Sequence, residues 1–273
     1  MAALYLVATP IGNLEDISLR ALRILREVGL VAAEDTRRTG KLLAHYEINT
    51  PLLSYHDHSD AGRIEELLGH LAQNDVALVT DAGSPLISDP GYELVNAALA
   101  RGHKIIPVPG PSAVIASLSA SGIPADSFLF IGYLPRKKSE RRAALQRYTR
   151  EPHTLVFFEV PHRLLAAMED LVEVFGAGRQ ASVSRELTKL HEETLRGSLG
   201  ELQSALEEQP PRGEYTLVIA GVEAEAEWSE DQVRQALAER LSQGDRPSEA
   251  ARWVASRSGW TRRAVYQFTL EEE

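Results

Sequence analysis

Cysteine is absent from the 273 residues. That excludes a thiolate nucleophile, a cysteine zinc site and a disulfide-stapled scaffold, and it points to an intracellular protein. Other familiar marks are missing too. Gly12 has no G-x-G-x-x-G around it, Gly40-Lys41-Leu42 lacks the upstream glycine and the hydroxyl residue of a phosphate-binding loop, and no G-x-S-x-G elbow occurs. No basic leader precedes the apolar stretch at residues 3–8, which reads as a first strand and not as a signal peptide. The longest uncharged run, residues 105–125, could span a bilayer by length. Pro107, Pro109, Pro111 and Pro124, with Gly110 and Gly122, divide it into a strand, a turn and a short helix. A cytoplasmic protein without a membrane segment is expected. His56-Asp57-His58 announces no further ligands, so no metal site is assigned.

What is present is an ordinary globular composition, 44% hydrophobic and 25% charged, long enough for one large or two medium domains. In the first part, apolar runs at 3–8, 29–33, 52–55, 76–80 and 105–108 alternate with helix-period segments at 19–28, 39–46, 64–72 and 92–100. This spacing suits a mostly parallel sheet covered on both faces. Asp89 is expected to cap the helix of residues 92–100, with Pro90 at its first position. After a link at 120–126, a second block offers strands at 128–132, 154–159, 181–184 and 215–220 and helices at 139–148, 162–175 and 199–208. Residues 221–230 are acidic and aperiodic, as in a linker, and three short helices are expected at 231–243, 248–257 and 261–269. The domains expected are residues 1–120, 121–222 and 229–270.

In open parallel sheets, ligands bind beyond the carboxyl ends of the strands. The apolar runs lead there into Thr9-Pro10-Ile11-Gly12-Asn13-Leu14, Glu34-Asp35-Thr36-Arg37, the segment 81–91 and Pro109-Gly110-Pro111-Ser112-Ala113. The second block adds Phe158-Glu159-Val160-Pro161-His162-Arg163 and Arg185-Glu186-Leu187-Thr188-Lys189. Taken singly, each is an ordinary loop or capped helix start. Together they deliver fixed turns and charged groups to one rim.

These segments, read in order as T-P-I-G-N-L, A-E-D-T-R, H-D-H, D-A-G-S-P-L-I-S-D-P-G, P-G-P-S-A and R-E-L-T-K, resemble the small-subunit ribosomal RNA cytidine 2'-O-methyltransferase family over nearly the whole chain. The resemblance implies an α/β, two-domain tetrapyrrole-methylase (class III methyltransferase) fold with S-adenosylmethionine in the cleft, a homodimer, and methylation of a cytidine ribose in the decoding region of 16S rRNA. It places cofactor contacts at Pro10, Ile11, Gly12, Asn13, Asp81, Gly83, Ser84, Pro85, Ile87, Ser112 and Ala113, and in the second domain at Phe158, Glu159, Leu187, Tyr215 and Thr216. Methyl transfer to a hydroxyl needs an in-line arrangement and a proton acceptor. The first candidates are Glu34 and Asp35, with Arg37 holding a phosphate; Glu159, Arg185, Glu186 and Lys189 stand behind them.

The formal net charge of -10 argues against indiscriminate nucleic-acid binding, but it is unevenly spread. Residues 134–150 hold seven basic residues against Glu140, and residues 246–263 hold five against Glu249. With an RNA substrate these become phosphate contacts, through Arg136, Lys137, Lys138, Arg141, Arg142, Arg262 and Arg263. The tail is expected to form a small helical, helix-turn-helix-like module. Ala250, Ala251, Val254 and Ala255 would make an apolar stripe, Gly259 a turn and Thr261 a cap, with Trp260 and Tyr266 available for stacking. A porphyrinoid or protein side chain as acceptor, and a noncatalytic RNA-binding role in ribosome assembly, are the alternatives.

Overall fold

The computed structural model describes residues 2–56, 61–208, 210–222 and 228–271. Asp57 and His58 of the H-D-H motif lie outside the described residues, as do residues 223–227 of the linker expected at 221–230. The chain divides into two units, residues 1–149 with 153–220, and residues 150–152 with 221–273.

The larger unit opens with strands Ala3–Val7 (β1), Leu30–Ala33 (β2), Leu52–Ser54 (β3), Val76–Val79 (β4) and Lys104–Val108 (β5). All pair in parallel, in the order β3-β2-β4-β1-β5. Successive side chains of a strand face opposite ways, and both faces are covered. Val7, Val31, Ala33, Ala77 and Val79 meet Leu19–Glu27 (α1) and Thr36–His45 (α2). Leu4, Leu30, Ala32, Val76 and Leu78 meet Ala61–Leu71 (α3) and Tyr92–Ala100 (α4). Near-continuous apolar strands are what two-sided burial requires. Two helix starts differ from expectation. The second helix begins at Thr36, three residues early, because the Asp35 carboxylate accepts the Arg37 amide at 2.8 Å and caps it. The fourth begins after Gly91, so Asp89 is not its cap and Pro90 lies outside it. The reason is that the chain turns back on itself at Leu86 and Ser88, both at positive φ, before the helix can start.

Ala113–Ser121 (α5) carries the chain to a second sheet, made of Phe128–Tyr133 (β6), Thr154–Glu159 (β7), Gln180–Arg185 (β8), Glu193–Ser198 (β9) and Tyr215–Ile219 (β10). Its order is β6-β7-β10-β8-β9, and only β6 and β7 are parallel. One face, with Leu155, Phe157, Val183, Leu217 and Ile219, packs on Lys138–Gln146 (α6), Pro161–Phe175 (α7) and Leu199–Glu207 (α8). The other face presents Val156 and Val218 to Val114 and Leu118 of α5. One helix after β5 therefore fixes the second sheet to the first half of the unit.

The smaller unit packs Glu230–Ser242, Pro247–Ser258 and Arg262–Glu271 around Val233, Leu237, Ala250, Ala251, Val254, Val265 and Phe268. Gly259 makes the turn at φ 76°, and Thr261 Oγ1 accepts the Ala264 amide at 3.2 Å, both as expected. Trp260 is not a free stacking surface: its indole donates to the Trp228 carbonyl at 2.8 Å and its ring packs against Phe268. Among the described residues, no helix is long and apolar enough to cross a membrane.

Candidate active site

A cavity of about 290 Å³ opens within the larger unit, where the carboxyl ends of β1, β2, β4 and β5 approach the second sheet. The first sheet supplies a cross-braced pair of loops. The Glu34 carboxylate accepts the Asp81 amide at 3.2 Å, and the Asp81 carboxylate accepts the Asp35 amide at 3.1 Å. Because β2 and β4 are neighbours in register, with Ala33 opposite Val79, these two turns leave the sheet side by side. Thr9 and Gly83 exchange backbone hydrogen bonds at 2.9 and 3.0 Å, tying the loop after β1 to the same place. Ser112 caps α5, whose first residues Ala113 and Val114 also line the cavity.

The opposite wall comes from β7, β8 and β10. These strands are antiparallel to one another in part, so Tyr215 at the start of β10 sits opposite Glu159 at the end of β7 and Arg185 at the end of β8. Backbone strain concentrates in the two loops that flank the cavity. Leu86 and Ser88 on one, and Glu186 and Thr188 on the other, are held at positive φ of 72°, 65°, 49° and 66°. Non-glycine residues adopt this region rarely and persist there only when surrounding contacts fix them. Gly12 shows how tight that fixing is, since a Cβ there would lie 2.5 Å from Lys189 Cγ, 2.7 Å from Thr188 Oγ1 and 2.9 Å from the Leu187 carbonyl.

Five carboxylates line the cavity, those of Glu34, Asp81, Asp89, Glu159 and Glu214, with two cations, Arg38 and Lys189. Glu159 is 1% exposed, and burial raises its pKa against the opposing pull of the Val160 amide and the Arg163 guanidinium. Burial works against the charge of Lys189, but hydrogen bonds to Glu186 at 2.8 Å and Glu214 at 3.0 Å outweigh it and raise the pKa.

The residues nominated from the sequence divide clearly. Ile11, Asp81, Gly83, Ser84, Ile87, Ser112, Ala113, Phe158, Glu159, Leu187, Tyr215 and Thr216 all line the cavity. Pro10, Gly12, Asn13 and Pro85 do not; Asn13 instead caps a short turn through the Glu15 amide, and Gly12 is the contact point with the loop around Lys189. Of the catalytic candidates, Glu34 lines the cavity and Asp35 with Arg37 does not. Arg37 pairs with Asp35 at 2.6 Å on the surface, its side chain 87% exposed, and this bond with the Arg37 amide holds the Asp35 carboxyl far below the usual carboxylate range. The arginine at the cavity is Arg38, 3.3 Å from Asp81. One step along a helix turns a side chain by about 100°, which separates two adjacent arginines that look equivalent in sequence. Tyr133 and Glu214 were missed; the rule that found the other loops applies to Tyr133, at the carboxyl end of β6, whereas Glu214 precedes β10, which runs antiparallel to β7 and so brings its amino end to the cavity.

The basic segment is also corrected. Arg141 is 4% exposed and its guanidinium lies 2.6 Å from the fully buried Asp170, so no phosphate can reach it. Arg142 pairs with Asp170 and Glu173, Lys137 with Glu140 and Lys138 with Glu169. Three of those acids come from α7, where a count along residues 134–150 cannot see them. Arg136, Arg147 and Arg150 remain as exposed cations without ion pairs among the described residues, and Arg262 and Arg263 are exposed on the smaller unit.

The paired sheets and the cavity between them are those of the tetrapyrrole methylases, and the family of Tetrapyrrole (Corrin/Porphyrin) Methylases matches residues 3–203. A diphthine synthase structure shares the fold with a TM-score of 0.63 at 15% identity, over 81% of this chain and 90% of that one. Uroporphyrin-III C-methyl transferase from Thermus thermophilus, complexed with S-adenyl homocysteine, gives 0.58 at 21% identity over 80% and 97%. Relatives named Ribosomal RNA small subunit methyltransferase I are much nearer in sequence. That of Synechocystis sp. is 47% identical over 100% of this chain and 99% of its own, and that of Escherichia coli O157:H7 is 44% identical over 99% and 95%. The chain belongs to the ribosomal RNA small subunit methyltransferase I family.

Proposed function

We propose that the protein transfers a methyl group from S-adenosylmethionine to the 2'-oxygen of a cytidine ribose in the decoding region of 16S rRNA, acting as a cytoplasmic homodimer. The observation that carries the reading is the charge of the cavity, five carboxylates around two cations. S-Adenosylmethionine is a net cation, with a sulfonium and an ammonium against one carboxylate, and it fits such a lining. The amides at the start of α5 suit its carboxylate, and Asp81 suits its ammonium. The names of the full-length relatives support the ribosomal RNA acceptor.

The donor supplies an electrophilic methyl carbon; the chain must orient the acceptor hydroxyl and take its proton. Glu34 fits the second task, since its carboxylate lines the cavity and is held by the Asp81 amide. Asp35 is committed to Arg37 and to capping α2, and Arg38 replaces Arg37 as the cation facing the acceptor. RNA contacts fall to Arg136, Lys137, Lys138, Arg262 and Arg263, because surface ion pairs such as Lys137 with Glu140 are weak enough to exchange, whereas Arg142 is held by the buried Asp170.

The test is incubation of the protein with labelled S-adenosylmethionine and small subunits that lack this methylation, followed by mapping of the label. Label on the ribose of the decoding-region cytidine is expected; label on a base atom, or none, overturns the reading. Glu34→Ala should lower turnover by about 10² to 10⁴-fold, well beyond whatever donor affinity is lost with one of the five cavity carboxylates.

A further inference from the structure

A second cavity adjoins the first, and Tyr133 lines both. Its other walls include Pro135, Arg136, Val160 and His162. The two cavities differ in charge. The first is dominated by carboxylates, whereas the ionisable side chains of the second, Tyr133 aside, are Arg136, His162 and Arg163, with no acid among them. Arg163 is engaged internally, donating to the Leu134 carbonyl and to Glu159. Arg136 and His162 are exposed. The loop that carries Arg136 is pinned from below, because the buried Arg141 donates to the Arg136 carbonyl at 3.1 Å.

The strand geometry aims Tyr133 at this junction. Phe130 and Tyr133 are three residues apart, which in a regular strand puts them on opposite faces. Both nevertheless contact Phe158, at 4.9 and 5.6 Å between ring centroids. A bulge between Phe130 and Gly132, with Gly132 at φ 78°, shifts the pairing by one residue and turns Tyr133 onto the cavity face. Bulges of this kind re-aim side chains next to active sites. The residue stays 51% exposed. Burial, together with the nearby Glu214, Asp89 and Glu159, raises the pKa of its hydroxyl, so the group is a neutral phenol and no proton acceptor at physiological pH. What it offers is an aromatic face beside cations.

We propose that the second cavity receives the acceptor nucleotide, with Tyr133 stacking on its extruded base and Arg136 and His162 holding the adjacent phosphate. This rests on the methyltransferase reading above and adds the acceptor subsite to it. A single-stranded base is recognised by stacking on an aromatic face, and a base that must be reached is taken out of its stack. Tyr133 borders the donor cavity on one side and the cationic cavity on the other, which is where an acceptor ribose has to lie.

The test compares Tyr133→Leu, Tyr133→Phe and Arg136→Ala in methylation of undermodified small subunits with labelled S-adenosylmethionine, alongside calorimetric titration of the donor. Loss of one base stack lowers kcat/KM for the subunit by about 5- to 150-fold in Tyr133→Leu, chiefly through KM, and Tyr133→Phe recovers most of it. Arg136→Ala reduces the slope of log affinity against log salt by about 1. Subunit kcat/KM unchanged in Tyr133→Leu, equal losses in the Leu and Phe variants, or a loss confined to donor affinity overturns the proposal while the methyltransferase reading stands. A wild-type protein that labels no subunit takes both down.

Discussion

Replacing Asp170 with alanine should destabilise the larger unit severely, although the residue lies in no cavity. Its carboxylate is fully buried and accepts from Arg141 Nε and Arg142 Nε, both at 2.6 Å. Arg142 keeps Glu173 as a second partner and is partly exposed, so it can relax toward water. Arg141 cannot. It is 4% exposed, and without Asp170 its donors reach only the carbonyls of Arg136, Pro135 and Ala166, at 3.1, 3.4 and 3.3 Å. Removing one partner of a buried pair leaves an uncompensated charge and costs about 3–5 kcal/mol. With a urea m-value of ~2 kcal/mol per molar, the unfolding midpoint followed by far-ultraviolet circular dichroism should fall by about 2 M. Asp170→Asn keeps the size and an acceptor and isolates the charge, so it should show a large part of the loss. Arg141→Met combined with Asp170→Leu should recover much of it, since no buried charge is then left alone. A fall of less than about 0.5 M in Asp170→Ala, the level of an exposed pair, would refute the reasoning.

Two further outcomes follow, one from the site and one from the cap of α2. Gly12→Ala drives a Cβ into Lys189 and the Leu187 carbonyl, so the loop around Lys189 must shift; donor affinity measured by calorimetry should drop at least about 5-fold, with a stability loss within the ~1–3 kcal/mol of overpacking, and unchanged affinity would show that the loop is not part of the donor site. Asp35 has a folded pKa depressed below its ordinary 3.8, so the stability it contributes is present above that value and is lost as the pH falls through the lower folded value. Acid titration of Asp35→Asn should therefore begin less stable at pH 5–7 and decline less steeply below about pH 4, and parallel acid limbs for the two proteins would contradict the assignment.

The first sheet was legible because its central strands β2 and β4 are buried on both faces and read as unbroken apolar runs, such as Val76 to Val79. The second was legible in its elements and not in its directions. Strand β9, Glu193–Ser198, was missed, because an edge strand whose only large apolar side chain is Leu195 carries no such run. The loops at strand ends were readable from glycine, proline and charge. Which member of a pair such as Arg37 and Arg38 faces the cavity depends on helix phase relative to a sheet not yet placed. Arg141 looked like a surface cation, since nothing nearby along the chain balances it. A signal did exist, in the acid Asp170 set between the buried Met168 and Leu171 of an otherwise apolar helix face. An acid there requires a cation from elsewhere.

All three tryptophans of the chain, Trp228, Trp253 and Trp260, belong to the smaller unit, and the larger unit has none. Arg257 and Arg240 lie over the Trp253 ring at 4.1 and 4.9 Å from its centroid, and the Trp260 indole is tied to the Trp228 carbonyl. Excitation of indole therefore interrogates the helical tail alone, in the unmodified protein. Any spectral shift on adding RNA is a report from the tail, any transition seen by circular dichroism before the emission moves is a report from the methylase unit, and the two halves can be titrated in one cuvette without a label.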